Sequence, residues 1–348
     1  MTMTEPTINP PQQTRQIGHN FGDITLIGNG GSTFATESFD GAIPFDRVRD
    51  LFDFSVSYTP VYTVRPDAGF VEVPNRHALV RDGAGPEVSP LNIVSKRYGI
   101  HQFSEVLIDN LLTLIDTPSS DLEIVGAGLL SNGAVGWVQV HAPMMTVTGD
   151  EMAPTITLAS SHNGTFATQY RIGMFRFACS NQLGAMRTGR GVQGVYKLRH
   201  TLNSRIRFTE ARAALGLLHQ QSDEFRREVE ALVATSVTDA QFGAIRMALD
   251  PRPVGNDVTP HAMTRWETRQ TALRKLWSAD DRVTPYRNTA WGVVQAYSTW
   301  RQNIRSFRAN GEFGTVSRTG RNMEDFLSGR CDTQDARVID MTRAVLAR

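Results

Sequence analysis

Eight cationic side chains fall between Glu151 and Glu210 with no Asp or Glu among them: Arg171, Arg176, Arg187, Arg190, Lys197, Arg199, Arg205 and Arg207. The interval is 58 residues long, and at the chain's average content of 35 acids in 348 residues it would hold about six carboxylates. It therefore carries +8 in a chain whose formal charge is +1. Phe166, Tyr170, Phe175, Phe177, Tyr196 and Phe208 are interleaved with these cations. Basic groups neutralise phosphates and aromatic faces stack on bases, so the pattern points to a polyanion track, with single-stranded nucleic acid the best fit. The competing account is a solvated sheet face neutralised by acids folded over it, with Glu224, Glu228 and Glu230 as the candidates.

Other chemistries are poorly supplied. The eight histidines include no HExxH and no i, i+4 pair, and the two cysteines, Cys179 and Cys331, form no CxxC, so no metal site is expected. Gly28-Asn29-Gly30-Gly31 lacks the GxGxxG spacing, and no GxxxxGK[ST] occurs, so no nucleotide cofactor is expected. Cys179-Ser180-Asn181 follows a predicted strand and opens a predicted helix, where a thiolate would be activated and His200 could serve as base. No G-x-S-x-G elbow accompanies it. Asp280-Asp281 and Glu324-Asp325 read as helix caps or solvated faces.

The elements that would position these groups follow from periodicity and turn residues. Met1 to Thr14 is rich in Thr, Pro and Gln and reads as a disordered lead-in. Residues 1–44 form a flexible arm with one short strand at Ile24–Ile27. A short helix at 45–52 precedes strands at 54–64, around Val71 and Val73, and at 78–81, with turns at Pro66–Gly69 and Pro74-Asn75. Apolar spacing predicts a helix over 103–116, stopped before Pro118. Strands follow at 122–130, 135–141, 155–160 and 165–177, with an Asn132-Gly133 hairpin turn. In the last strand Phe166, Thr168, Tyr170, Ile172 and Met174 share a core face. Gln169, Arg171, Phe175 and Phe177 share a partly exposed one. A helix at 182–186 and a Gly-rich basic loop at 188–194 complete an α+β core over 45–212. From 213 the chain reads as helical: a long amphipathic helix, then segments at 239–249, 263–278, 286–307 and 333–347, separated by prolines. No run of apolar residues reaches membrane-spanning length, and two free cysteines suit a reducing cytoplasm.

Six segments occur in an order that resembles a known family. They are Tyr58-Thr59-Pro60-Val61-Tyr62, Val94-Ser95-Lys96-Arg97-Tyr98, Ser161-His162-Asn163-Gly164, Arg176-Phe177-Ala178-Cys179-Ser180-Asn181-Gln182-Leu183, Leu198-Arg199-His200-Thr201 and Thr289-Ala290-Trp291-Gly292. Together they resemble the phage/plasmid-like family of domains of unknown function, number nine-three-two, over roughly residues 50–305. Its hallmarks are an SxDG turn, an RVVCxNTL segment and an RHT segment. Asn163 stands here for the usual Asp and Gln182 for the usual Thr, so an activity that needed either would be in doubt. The resemblance implies phage, prophage or plasmid genes and a bacterial cytoplasm, and it brings no established activity. The order helix, three strands, helix from 103 to 187 is also similar to the core of single-strand annealing proteins, which form rings with a basic groove.

The reading that follows is a non-enzymatic protein holding single-stranded DNA in replication or recombination, as a homo-oligomer without cofactor or membrane contact. Arg171, Arg176, Arg187, Arg190, Lys197, Arg199 and Arg207 would meet phosphates, and Tyr170, Phe175 or Tyr196 would stack on bases. Within this set Arg187 to Lys197 is the phosphate-facing section, and Arg176 to Asn181 is the part fixed in the fold. Two alternatives stay open. One is an enzyme with a pocket at His162, Asn163, Cys179, Asn181 and His200, among the family-motif residues that also include Gly164 and Arg176; the other is a module that meets host-defence proteins through the C-terminal helices.

Overall fold

The computed structural model describes residues 24–28, 36–84, 89–116, 121–176, 181–184, 195–200, 209–255, 258–306 and 318–348. The first half is built on strands: β1 (Ile24–Ile27), β2 (Glu37–Ser38), helix α1 (Phe45–Leu51), β3 (Val56–Arg65), β4 (Gly69–Arg81) and β5 (Asn92–Ser95). A π-helix, Ser104–Asp109, runs into α2 (Asn110–Ile115). Then come β6 (Glu123–Leu130), β7 (Val135–His141), β8 (Met145–Val147), β9 (Asp150–Ser161), β10 (Thr168–Arg176), β11 (Asn181–Gly184) and β12 (Val195–Leu198). The remainder is helical: α3 (Thr209–Ala234), α4 (Asp239–Leu249), α5 (Pro260–Ala279), α6 (Ala290–Thr299) with a π-turn at Trp300–Ile304, α7 (Arg318–Leu327) and α8 (Arg330–Leu346).

The main sheet has the order β11-β10-β9-β7-β6-β1-β2 and is antiparallel except for β1–β2. The outer edge of β10 is shared: β11 pairs with residues 173–176 and β12 with residues 168–171. Strands β6, β7, β9 and β10 are buried along almost their whole length. Runs buried on both sides need cover on both faces. One face packs Val138, Val140, Ile156, Leu158, Tyr170 and Ile172 against Val106, Leu107, Leu111 and Leu218. The other packs Trp137, Val135 and Ala159 against Met323, Phe326 and Leu327. The helical region is therefore laid on the sheet: α3 touches β9 and β10, and α7 and α8 touch β11.

Four sequence readings are corrected. The expected strands at Val71–Val73 and Ala78–Arg81 are one strand, and Pro74-Asn75 marks a bulge: the register jumps from Pro60↔His77 to Tyr62↔Glu72, with Asn75 at φ +61°. The helix expected at 182–186 is strand β11, because pairing with β10 overrides local preference. That change also breaks the helix–strands–helix order likened to annealing proteins. Helix α7, not anticipated, and α8 close the face of β10 that was expected to be partly exposed.

Close packing of the π-helix on β7 rests on Gly136. A Cβ there would lie 2.9 Å from Phe103 Cε2 and 3.0 Å from Leu107 Cδ1. Gly136→Ala is expected to destabilise the fold by about 1–3 kcal/mol through overpacking, read as a lower urea midpoint at unchanged m-value.

A second sheet, β3-β4-β5, stands beside the first. Its base is anchored by Val56, Leu79 and Val94, but the hairpin beyond Pro60 is exposed along most of both strands. Val64 and Phe70 are direct cross-strand partners there, and Phe70 is 79% exposed.

Candidate functional site

Strand β10 delivers its two arginines to the interior, not to a ligand. Alternation sends Arg171 toward α7 and α8, where it is 3% exposed, pairs with Asp332 and lies over the Phe326 ring at 5.0 Å. Burial holds the Asp332 carboxyl above its usual range, against the lowering effect of the Arg171 guanidinium. Arg176 is 1% exposed and pairs with Asp150. It also donates to the Arg282 carbonyl at 2.9 Å and to Gln295 Oε1 at 3.1 Å. Tyr170 is buried in the core beneath α2 and α3. Arg171, Arg176 and Tyr170 therefore leave the list of nucleic-acid contacts, because each is enclosed by helices remote in sequence, over a hundred residues away for the two arginines. Phe175 is half-buried with its ring 5.2 Å from His141, and Tyr196 is half-buried against the core. Acids do fold onto the basic interval, but they are Asp150 and Asp332. Glu228 pairs instead with Arg343, and Glu224 accepts from Gln220.

A different set of cations remains at the surface. Lys197 and Arg199 are exposed on and just after β12; Lys96 and Arg97 are exposed just after β5. The Gly99 N–H donates to the His200 carbonyl at 3.3 Å, and the Tyr98 ring stacks on His200 at 5.1 Å, so these two stretches lie side by side. Arg76, also exposed, sits opposite Ser95 in the β4–β5 ladder, which brings it to the same strip. Among the described residues, no ion pair engages any of the five. Arg187, Arg190 and Arg207 lie outside the described residues, in the segments that join β11 to β12 and β12 to α3. The sequence window missed Lys96, Arg97 and Arg76, since nothing in their local spacing links them to β12.

Beneath the strip is a cluster of imidazoles and hydroxyls. His101 Nδ1 is 2.7 Å from Thr168 Oγ1, which is 2.8 Å from Ser160 Oγ and 3.3 Å from His200 Nε2. The His101 and His200 rings stack at 4.1 Å. His162 is 0% exposed, stacks on Phe103 at 4.4 Å, and has no partner for either ring nitrogen. Burial pushes His101 and His200 down to about 4 and His162 down to about 3, with the neighbouring imidazoles adding to the shift on His162 and His200. The adjoining turn is held by Asn163 Oδ1, which accepts from the Thr165 N–H at 3.1 Å and from its hydroxyl. Gly164 supplies the left-handed φ of +76° that this turn requires.

The enzyme pocket expected at 162–200 is only partly assembled. His162 and His200 meet, together with His101, which no motif pointed to. Asn181 pairs with Arg176 at the far end of β10, roughly 27 Å of extended strand away from Thr168. Cys179 lies outside the described residues, and the helix that was to activate it is a strand. A hydroxyl within reach of an imidazole matches a nucleophile–base pair, yet Thr168 and Ser160 are both buried, away from any substrate. Among the described residues no group of three or more His, Cys, Asp or Glu is placed to hold a metal ion. A cleft of about 530 Å³ opens at the opposite end of the sheet, lined by Asp121, Glu123, His141, Met144 and Glu151. Its three carboxylates disfavour a polyanion. Among the described residues no helix is long and apolar enough to cross a membrane.

No curated protein and no solved structure matches the chain. A family model described as Domain of unknown function (DUF932) does match, over residues 90–323. The match begins just ahead of β5 and ends within α7, so it takes in the histidine cluster and all of β10 but not the β3–β4 hairpin. It covers about two-thirds of the sequence, and the chain belongs to this family.

Proposed function

We propose that the protein binds single-stranded DNA along the strip of Arg76, Lys96, Arg97, Lys197 and Arg199, without catalysing a reaction. What supports this reading is that five exposed cations from three stretches of chain lie along one strip with no carboxylate paired to any of them among the described residues. Unpaired cations keep their full field for phosphates, whereas Arg171 and Arg176 have spent theirs on Asp332 and Asp150. Tyr62 and Phe70 on the projecting hairpin are exposed aromatic faces on which bases can stack. The buried hydroxyls of the histidine cluster weigh against the enzyme alternative.

The test is fluorescence anisotropy with a labelled oligo-dT strand over a range of salt concentrations. Binding is expected to weaken linearly in log–log form as salt rises. Lys197→Ala with Arg199→Ala should lower affinity and reduce the slope by about 1.4, for two lost contacts at ~0.7 each. Absence of binding at low salt, or an unchanged slope in the double variant, would sink the proposal.

A further inference from the structure

The histidine cluster joins the cationic strip to the main sheet, and its composition makes that joint sensitive to protons. His200 is sandwiched between Tyr98 at 5.1 Å and His101 at 4.1 Å. His101 and His200 both reach Thr168 Oγ1 on β10. Tyr98 is held in turn by the Tyr58 hydroxyl on its carbonyl at 2.5 Å. The segments 96–101 and 195–200 are thus fastened to each other and to β10 through stacked neutral rings.

Among the described residues, the groups around His200 and His162 are neutral or cationic. From β9 the neighbours are the Ser160 hydroxyl and the Ser161 carbonyl, which accepts from Tyr98 at 3.3 Å. From β10 there is Thr168, and from β3 Tyr58, whose ring meets His77 of β4 at 5.6 Å. The charged groups on the flanks are cations: Lys96 and Arg97 on one side, Lys197 and Arg199 on the other. Arg81 lies over the Phe54 ring at 3.8 Å, and Phe54 packs on Phe103 beside His162. Asp82, at the end of β4, is engaged by the Ser55 and Ser57 hydroxyls. Among the described residues, burial and neighbouring imidazoles set the ionisation of His162 and His200, with no carboxylate among the causes. The missing acids of residues 152–209 therefore have a second consequence: no described carboxylate balances a proton on His162 or His200.

We infer that His101, His162 and His200 form a proton-operated latch, which holds the 96–101 and 195–200 segments on the sheet when neutral and releases them when protonated. Two imidazolium rings 4.1 Å apart repel, and a buried His162 with no hydrogen-bond partner among the described residues gains solvation by leaving. Release would free both halves of the strip, detaching β12 from the edge of β10, while β6, β7 and β9 stay paired.

Hydrogen exchange of the full chain, corrected for the intrinsic pH dependence of the amides, tests this between about pH 7 and pH 4.5. Protection of Gly99 and of residues 195–200 should fall by about tenfold per pH unit for each imidazole that takes a proton on opening, while β6 and β7 stay protected. His200→Gln keeps a planar polar ring substitute that never charges in this range, and it should lower that slope by one proton. Should that variant fail to fold, titration of the histidine ring C–H resonances of the native chain decides. The three rings are expected to protonate together with the Gly99 amide shift. Protection that does not change with pH, protection lost uniformly across the sheet, or rings that titrate independently near 6.5 would each overturn the latch. None of these readouts requires DNA, so the latch stands or falls apart from the binding proposal.

Discussion

Asp150→Ala is expected to cost about 3–5 kcal/mol, the characteristic penalty for stripping one partner from a buried ion pair. The variant strips Asp150 from the Arg176 guanidinium, which is 1% exposed and keeps the Arg282 carbonyl and Gln295 Oε1 as neutral acceptors. A loss of that size is a large part of an ordinary folding free energy of ~5–15 kcal/mol, so urea unfolding should reveal it as a greatly lowered midpoint. The double variant Asp150→Leu with Arg176→Met should recover much of the loss, since two apolar groups of similar bulk remove both desolvation costs together. The same double variant separates structural from ligand roles. Its affinity for a single strand and its salt slope should match the native chain, because Arg176 faces α6 and not the surface. A reduced slope would return Arg176 to the binding surface and contradict its burial.

Acid is expected to weaken the fold from below about pH 6.5, before its carboxylates protonate. Burial depresses His101 and His200 to about 4, and His141 and His162 to about 3, against an unfolded value of 6.5. Above pH 6.5 both folded and unfolded forms are neutral and these groups have no effect. As the pH falls below 6.5 the unfolded chain binds protons that the folded chain refuses, so stability drops until the folded values are reached. One histidine held two pH units low forfeits about 2.7 kcal/mol at the bottom of that window. Together these groups lower the folding free energy as the pH falls, with the partly exposed His200 contributing less, and thermal melts should show Tm falling between about pH 6 and pH 4. The Asp332 carboxyl acts in the opposite sense, since a raised value takes up a proton on the folded side, but a single group does not reverse the trend. His162→Phe, which fills the site with an apolar ring against Phe103, should shift the acid transition to lower pH. A transition unaffected by that change would mean that His162 is not buried neutral.

Much of the local structure was legible along the chain. The helix beginning near Ser104, the strands β6 and β7 and the long amphipathic α3 each announce themselves by periodicity over consecutive residues, which is a local property. Helix α4 has its start written as Thr238 and Gln241, whose side chains cap each other's backbone. The failures lie where a distant partner decides. Asn181–Gly184 reads as a helix opening and becomes a strand because the edge of β10 is there to be paired. Pro74-Asn75 reads as a turn and becomes a bulge because residues on either side find partners in β3. Helix α7 was missed, and with it the cover over Arg171.

The acid-free interval shows the same division. By itself the sequence determined that residues 152–209 contain cations without acids, that strands supply the first half of that interval, and that the chain carries the motifs of its family. Charge content and alternation are properties of the chain and survive any fold. Only the tertiary structure decided which of those charges face water. Asp150 and Asp332, outside the interval, enter the interior beside Arg176 and Arg171, since a buried guanidinium is tolerated only with an anion at hand. Lys197 and Arg199 stay at the surface and are joined by Arg76, Lys96 and Arg97, and His101 meets His162 and His200 because the sheet folds their segments together. Contacts between residues tens to hundreds of positions apart depend on the global packing, and no local pattern encodes them.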